Sequence, residues 1–264
     1  MIVDGRNIAN DVLARTKIRA ERLPHKPRVL AYVADEPNEA THSYLKIKKH
    51  SAERAGCEFE ETVNPTFFTT ADAAIVQLPT TEEVMNLLKA DVLIPIEKDA
   101  DVLSTAARQK FNNNEEGALL PPVVAAVAEI FDLNQVDTKG KRAVVVGTGF
   151  LVGAPIAVWL AQKGAEVTTL TAASSPEELS AALRAADIIV SGAGSPHLIQ
   201  PDMLKDGVVL IDAGTAESSG KIAGDADPAC AEKCSLFTPV PGGVGPIAVA
   251  KLFENATILA ERNL

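Results

Sequence analysis

Aromatic residues are scarce, at 4% of 264 residues, too few to build a stacking platform for bases. Cysteine is nearly absent. Cys57, Cys230 and Cys234 cannot all pair, which excludes a disulfide framework. Cys230 and Cys234 stand one helical turn apart, yet no third or fourth ligand lies nearby in the sequence, so no metal site is expected. No apolar run reaches the ~18 residues of a membrane span, and the most apolar stretch, 117–131, is broken by Pro121-Pro122. The opening residues carry Asp4 and Arg6 and lack the apolar core of a signal peptide. A cytoplasmic protein is expected. Positive charge is also in deficit, with 25 Lys+Arg against 35 Asp+Glu for a net charge of −10. Broad nucleic-acid binding needs the opposite balance.

What is present is a globular composition, 47% hydrophobic and 23% charged, in which helix and strand signals alternate. Residues 8–23 carry a helical apolar face ended by Pro24, and 28–33 reads as a buried strand. A helix is expected over 41–56, strands over 73–78 and 91–94, a helix over 82–89 and a polar loop over 104–119. After a helix at 122–131 the pattern becomes regular: strands 142–146, 166–170, 187–190 and 208–212, with helices 151–163 and 176–185. This is the alternation of a doubly wound α/β fold. The expected architecture is an N-terminal α/β domain, 1–122, and a Rossmann-type dinucleotide-binding domain, 123–245. The final helix, 246–264, is expected to return to the first domain.

Three segments carry chemistry. In 141–155 a buried strand runs into Gly147-Thr148-Gly149, then Gly153 and a helix. Glycines there admit a pyrophosphate against the backbone, and the helix N-terminus favours its charge. At the end of the next strand, Thr171-Ala172-Ala173-Ser174-Ser175 holds neither an acid for a ribose hydroxyl nor a base for a 2′-phosphate. The second segment is a locally basic helix in which Tyr44 and Lys48 share a face one turn apart. A lysine in an enclosed cleft can have a lowered pKa and move protons, although a solvated lysine has the same spacing. The third is Thr238 to Pro246, TPVPGGVGP, whose prolines and glycines specify a rigid turn. It suits either an interdomain hinge or a purely structural corner.

These pieces together resemble the bifunctional methylenetetrahydrofolate dehydrogenase/methenyltetrahydrofolate cyclohydrolase family. The matching runs are Val3 to Ala9, Tyr44 to Lys48, Val76-Gln77-Leu78-Pro79, Lys98 to Asp101, Gly147 to Pro155, Gly224 to Asp227, and Thr238 to Pro246. The resemblance implies a folate cleft between the domains. In it Lys48 acts as the cyclohydrolase lysine, Gln77 tunes its protonation, Tyr44 stacks on or hydrogen-bonds the folate, and Asp101 binds the amino-pyrimidine edge of the pterin. Val76, Leu78, Pro241, Gly242 and Gly243 would line the substrate site. Gly147, Thr148, Gly149, Gly153, Ala172, Thr215 and Gly245 would contact NAD or NADP, and the absence of basic residues after the second strand favours NAD. A homodimer through the Rossmann domain, and no metal, are likewise implied.

The chain departs from the family pattern in places. Thr148-Gly149 replaces an Arg-Ser type pair, and Thr171 and Ala172 stand where Ser, His or Arg are usual. Only twenty residues separate Gly56 from Gln77, two residues are added between Pro37 and Tyr44, and Val102-Leu103 and Leu120-Pro121-Pro122 replace common sequences. The substrate domain is therefore expected to be shortened. A dehydrogenase lacking cyclohydrolase activity, a catalytically silent folate- or dinucleotide-binding protein, and a dehydrogenase of another small acid are the competing readings. Retention of both Lys48 and Gln77 disfavours the first two, and Asp101 with VQLP the third.

Overall fold

The computed structural model describes residues 1–33, 39–218 and 221–264. The residues added between Pro37 and Tyr44 begin outside these. The chain forms two compact units, one of residues 9–122 and 249–264, the other of residues 1–8 and 123–248.

The first unit is built on three parallel strands, β1 (Arg28–Tyr32), β2 (Glu58–Thr62) and β3 (Ala73–Val76), in the order β2-β1-β3. Val29, Leu30 and Ala31 of β1 and all of β3 are buried, as continuous apolar runs should be in a parallel sheet covered on both faces. Strand β2, Glu-Phe-Glu-Glu-Thr, was not expected. Its acids face solvent on a sheet edge, a device that blocks further strand pairing but also hides the strand from a propensity reading. Its return to β3 runs through a short 3-10 segment, Pro65–Thr70.

Helices of this unit include most of α1 (Gly5–Ala20), then α2 (Glu39–Ala55), α3 (Glu82–Lys89) and α4 (Thr105–Asn112). Two expectations are corrected here. Residues 91–94 are not a strand: Asp91 and Val92 fold back on α3, their N–H groups donating to Leu88 O and Leu87 O at 3.1 Å each. Asp91 sits at φ 57°, and its carboxylate accepts from Ala106 N at 2.8 Å. Residues 105–112 are not loop but α4. Ser104 caps the helix by accepting from Ala107 N at 3.3 Å, and Ala107 and Phe111 bury one face. The other faces are polar, which masked the period.

The last part of α8 (Val244–Arg262) belongs to this unit. Asn255 Nδ2 donates to Ala100 O and to Leu120 O, each at 2.9 Å. Arg15 bonds Glu254 at 3.0 Å and Arg19 pairs with Glu261. Phe253 meets Phe59 of β2 edge-on, with centroids 6.1 Å apart.

The second unit has a sheet of five parallel strands, β4 (Arg142–Val146), β5 (Glu166–Leu170), β6 (Ile188–Ser191), β7 (Val208–Asp212) and β10 (Cys234–Phe237). Its order is β10-β7-β6-β4-β5. Helices α5 (Pro122–Leu133), α6 (Gly153–Gln162) and α7 (Pro176–Ala185) accompany it, with a small antiparallel pair, β8 (Ala216–Ser218) and β9 (Lys221–Ala223). Strand order reverses between β4 and β6, the switch point at which doubly wound sheets bind ligands. Residues 1–8 fall in this unit rather than with 9–122 as expected. The reason is backbone pairing beside β10: Val3 N donates to Phe237 O at 2.8 Å and Phe237 N to Met1 O at 2.9 Å.

Candidate active site

In the first unit, α2 carries Lys48 toward the end of β3, where Gln77 follows directly. Lys48 Nζ donates to Gln77 Oε1 at 2.9 Å. Gln77 is only 4% exposed, and its own atoms are fixed: its N–H donates to Tyr32 O at 2.9 Å and its Nε2 to Leu78 O at 2.6 Å. The amide therefore presents an acceptor, not a donor, to the amine. Burial pulls the Lys48 pKa down, opposed by the negative charge of Asp101.

Asp101 lies in the turn that opens toward α4. Burial pushes its carboxyl pKa up, Lys48 pulls it down, Asp99 pushes it up and Arg108 pulls it down. The turn is pinned by Asp99, which accepts from Leu103 N at 3.1 Å and Ser104 N at 2.8 Å. The bond from Asn255 to Ala100 O holds it from the other side. Asp99 and Arg108 belong to the charge balance of this site but carried no role in the sequence reading. Arg108 lies on α4, in the segment read as loop, and Asp99 was visible only as part of the Lys98 to Asp101 run.

Other expected residues fall into two groups. Tyr44 is 42% exposed, one turn before Lys48, and Leu78 is half-buried against the apolar cluster of β3. Val76 is 1% exposed inside that cluster, so its side chain is core and only its backbone is left to meet a ligand.

In the second unit, the loop after β4 is built by close backbone approach. Gly147 has φ +89°, and a Cβ there would lie 2.7 Å from Gly192 O. A Cβ on Gly153 would overlap Gly147 O, and one on Gly192 would overlap the Val152 side chain. The loops after β4 and β6 are thus pressed together at the switch point. Gly149 differs, because nothing lies within 4 Å of its Cβ position. Thr148 is exposed with it. This open, side-chain-free backbone at the start of α6 fits a dinucleotide pyrophosphate.

After β5, residues 171–174 form a self-bonded turn. Thr171 N donates to Ser174 Oγ and Ala173 N to Thr171 Oγ1, both at 3.2 Å, and Ala172 is exposed. Thr215, after β7, is exposed too. At the 238–246 turn, Gly242 takes φ +104°, and a Cβ on Gly5 would overlap Gly243 O. That contact explains the glycine in the opening Asp4-Gly5-Arg6 run: the start of α1 packs on the turn's backbone. Pro241 and Gly245 are exposed, and the Gly245 Cβ position meets nothing within 4 Å.

Among the described residues no group of three or more His, Cys, Asp or Glu could hold a metal ion. Among them, too, no helix is long and apolar enough to cross a membrane.

Residues 121–264 match the family model for the tetrahydrofolate dehydrogenase/cyclohydrolase NAD(P)-binding domain. The chain is 33% identical to the bifunctional protein FolD of Thermotoga petrophila over 275 aligned positions, covering 99% of each chain. Among solved structures, the FolD methylenetetrahydrofolate dehydrogenase/cyclohydrolase of Campylobacter jejuni superposes with a TM-score of 0.92 at 28% identity, covering 100% of this chain and 99% of that one. The Trypanosoma brucei enzyme, complexed with NADP and an inhibitor, gives a TM-score of 0.89 at 26% identity, covering 100% and 98%. With the glycine loop at the switch point and the half-buried Lys48–Gln77 bond in the other unit, the chain belongs to the tetrahydrofolate dehydrogenase/cyclohydrolase family, that of the bifunctional FolD proteins.

Proposed function

We propose that the protein oxidises 5,10-methylenetetrahydrofolate with a nicotinamide dinucleotide and hydrolyses the resulting 5,10-methenyl cation to 10-formyltetrahydrofolate. The observation that carries the reading is the Lys48–Gln77 hydrogen bond, a half-buried amine held by a buried acceptor and facing the charge of Asp101. Residues 9–122 with 249–264 serve as the folate-binding catalytic part, and the second unit serves the cofactor.

The oxidation needs little acid–base help. Hydride leaves the methylene carbon, and the adjacent nitrogens stabilise the cation that remains, so the chain's task is orientation. The nicotinamide, when bound, supplies the hydride acceptor. Gly147, Thr148, Gly149 and Gly153, with Ala172, Thr215 and Gly245, hold the dinucleotide. Tyr44 and Asp101 hold the folate, the Asp101 carboxylate accepting from the amino-pyrimidine edge.

Hydrolysis is where Lys48 acts. Water adds to the methenyl carbon, and Lys48 Nζ takes one of its protons. Collapse of the neutral hydroxyl adduct breaks one carbon–nitrogen bond: Lys48 returns its proton to the departing ring nitrogen, and the hydroxyl proton leaves to solvent as the formyl C=O forms, so one water is consumed and one proton is released. The lowered pKa of Lys48 raises its neutral fraction near neutral pH, as a base in this role requires. Gln77 directs the N–H away from the water, leaving the lone pair for the proton.

NAD is favoured over NADP because 171–175 offers no cation to a 2′-phosphate. A homodimer through the second unit and a cytoplasmic location complete the reading.

A coupled spectrophotometric assay with methylenetetrahydrofolate and either NAD or NADP tests it. Reduction of the nicotinamide, NAD serving at least as well as NADP, without accumulation of the methenyl chromophore, is expected. No reduction with either cofactor overturns the dehydrogenase. Accumulating methenyl product removes the cyclohydrolase, and a strong NADP preference removes the cofactor assignment.

A further inference from the structure

The carboxyl ends of β6 and β7 are joined by two aspartates that the reaction does not use. Asp225 is fully buried and Asp212 is 1% exposed. Asp225 Oδ2 accepts from Ser191 Oγ at 2.6 Å and from Ala193 N at 2.7 Å, and its Oδ1 accepts from Ser195 N at 2.7 Å. All three donors belong to the last residue of β6 and the loop that follows it. Asp212, at the end of β7, accepts from Gly214 N at 2.9 Å and from Ala226 N at 2.8 Å. The two carboxylates interleave with two glycines: a Cβ on Gly214 would overlap the Asp225 carboxylate, and one on Gly224 would overlap that of Asp212. Side chains larger than hydrogen are shut out by the carboxylates themselves.

The arrangement reaches the cofactor loop in two short steps. Asp225 fixes Gly192-Ala193-Gly194-Ser195, and Gly192 is the residue against which Gly147 and Val152 pack. Asp225 also lies on Gly214, the neighbour of Thr215. One carboxylate thereby sets the spacing of the loops after β4, β6 and β7, all at the switch point.

Resting on the dehydrogenase reading above, we infer that Asp225 is a positioning residue for dinucleotide use, setting the loop 192–195 and, through Gly192 and Gly214, the glycine loop and Thr215. It touches neither substrate nor reacting atoms. Its charge is matched to three convergent donors, an arrangement worth more per bond than neutral pairing. The neighbouring Asp212 shows how dry the site is: burial first of all, with the charge of Asp225 adding, pushes its carboxyl up to about 6 against the pull of the Ala226 and Gly214 N–H groups.

The test is Asp225→Asn, which keeps the shape but turns one acceptor into a donor facing an N–H. Dehydrogenase KM for NAD and NADP, cyclohydrolase kcat/KM on methenyltetrahydrofolate supplied directly, and thermal melting are measured on the full chain. A rise of about tenfold or more in dinucleotide KM, with cyclohydrolase retained within about twofold, supports the inference. Unchanged dinucleotide KM, or equal loss of both activities, overturns it. If Asp225→Asn does not fold, Ser191→Ala decides: it removes one donor and leaves both backbone bonds. A rise in dinucleotide KM of about threefold, with cyclohydrolase retained within about twofold, supports the role, and an unchanged KM or equal loss of both activities overturns it. The wild-type assay runs alongside, so absence of dehydrogenase activity in the parent chain is read against the proposed function and not against Asp225.

Discussion

The two units build their sites from different materials. In the dinucleotide unit the decisive atoms are backbone: Gly147, Gly153 and Gly192 are glycines because a Cβ at each would meet a neighbouring carbonyl or side chain. In the unit proposed to bind folate they are side chains, Lys48, Gln77 and Asp101, and what matters is how burial and neighbouring charge shift the protonation of Lys48 and Asp101. A backbone site is specified by what cannot be added. A side-chain site is specified by what cannot be removed. Substitutions should therefore fail in opposite ways in the two units, sterically in one and chemically in the other.

The largest expected effect is chemical. Lys48→Met removes the amine proposed to move the proton, and general acid–base help of this kind is worth about 10²–10⁴-fold. Cyclohydrolase kcat should fall by that factor while dinucleotide binding, measured by fluorescence titration, stays as in the parent. Normal hydrolysis by the variant would detach Lys48 from the reaction. Loss of dinucleotide binding as well would erase the separation of the two sites.

The steric counterpart is Gly153→Ala. Its Cβ would occupy the position of Gly147 O, and forced overpacking costs about 1–3 kcal/mol. Thermal melting should fall accordingly, and dinucleotide KM should rise as the loop is displaced. An unchanged melt would mean that the loop yields freely, and the claim that it is rigid backbone would fail.

The same division governs what could be read from the chain. Strands β4 and β7 lie where the apolar runs placed them, because parallel strands covered on both faces read as continuous apolar segments, and β5 and α7 lie at their expected bounds within the strand–helix alternation. The glycine loop was legible for a related reason, since backbone approach leaves glycine as its mark. The folate unit was harder. Strand β2 is mostly acid, α4 has a single apolar face within Thr-Ala-Ala-Arg-Gln-Lys-Phe-Asn, and in 91–94 Leu93 and Ile94 are apolar because they fill the core behind α3 rather than because they form a strand. The Lys48–Gln77 bond joins residues 29 apart in the chain, which no local periodicity reveals. It was reached through family resemblance. Asp225 was seen only as part of a matching run, because its role depends on donors from a loop 30 to 34 residues earlier.

A subtler change sharpens the electrostatic half of the comparison. Gln77→Glu places a carboxylate where the acceptor amide now meets Nζ. An opposite charge at hydrogen-bond range favours the ammonium, raising the Lys48 pKa by about one unit or more. The sign follows directly. The neutral amine is reached only at higher pH, so the rising limb of the cyclohydrolase kcat/KM profile should move to higher pH, with reduced rate at neutrality. An unmoved limb would show that the profile is not set by Lys48.

The smallest effect falls on the one loop glycine that the fold itself leaves free. Gly149 has no atom within 4 Å of its Cβ position, so Gly149→Ala should leave the melting curve of the unliganded protein within about 0.5 kcal/mol of the parent. Only a ligand can make that methyl costly. If a pyrophosphate lies against this backbone, the added methyl must displace it, and dinucleotide KM should rise by about threefold or more while cyclohydrolase on directly supplied methenyltetrahydrofolate is untouched. Gly153→Ala loads the fold whether or not cofactor is present; Gly149→Ala loads only the complex. Should KM stay the same in Gly149→Ala, the glycines of this loop serve packing alone, and the ligand's approach must be sought along the loops after β6 and β7 instead.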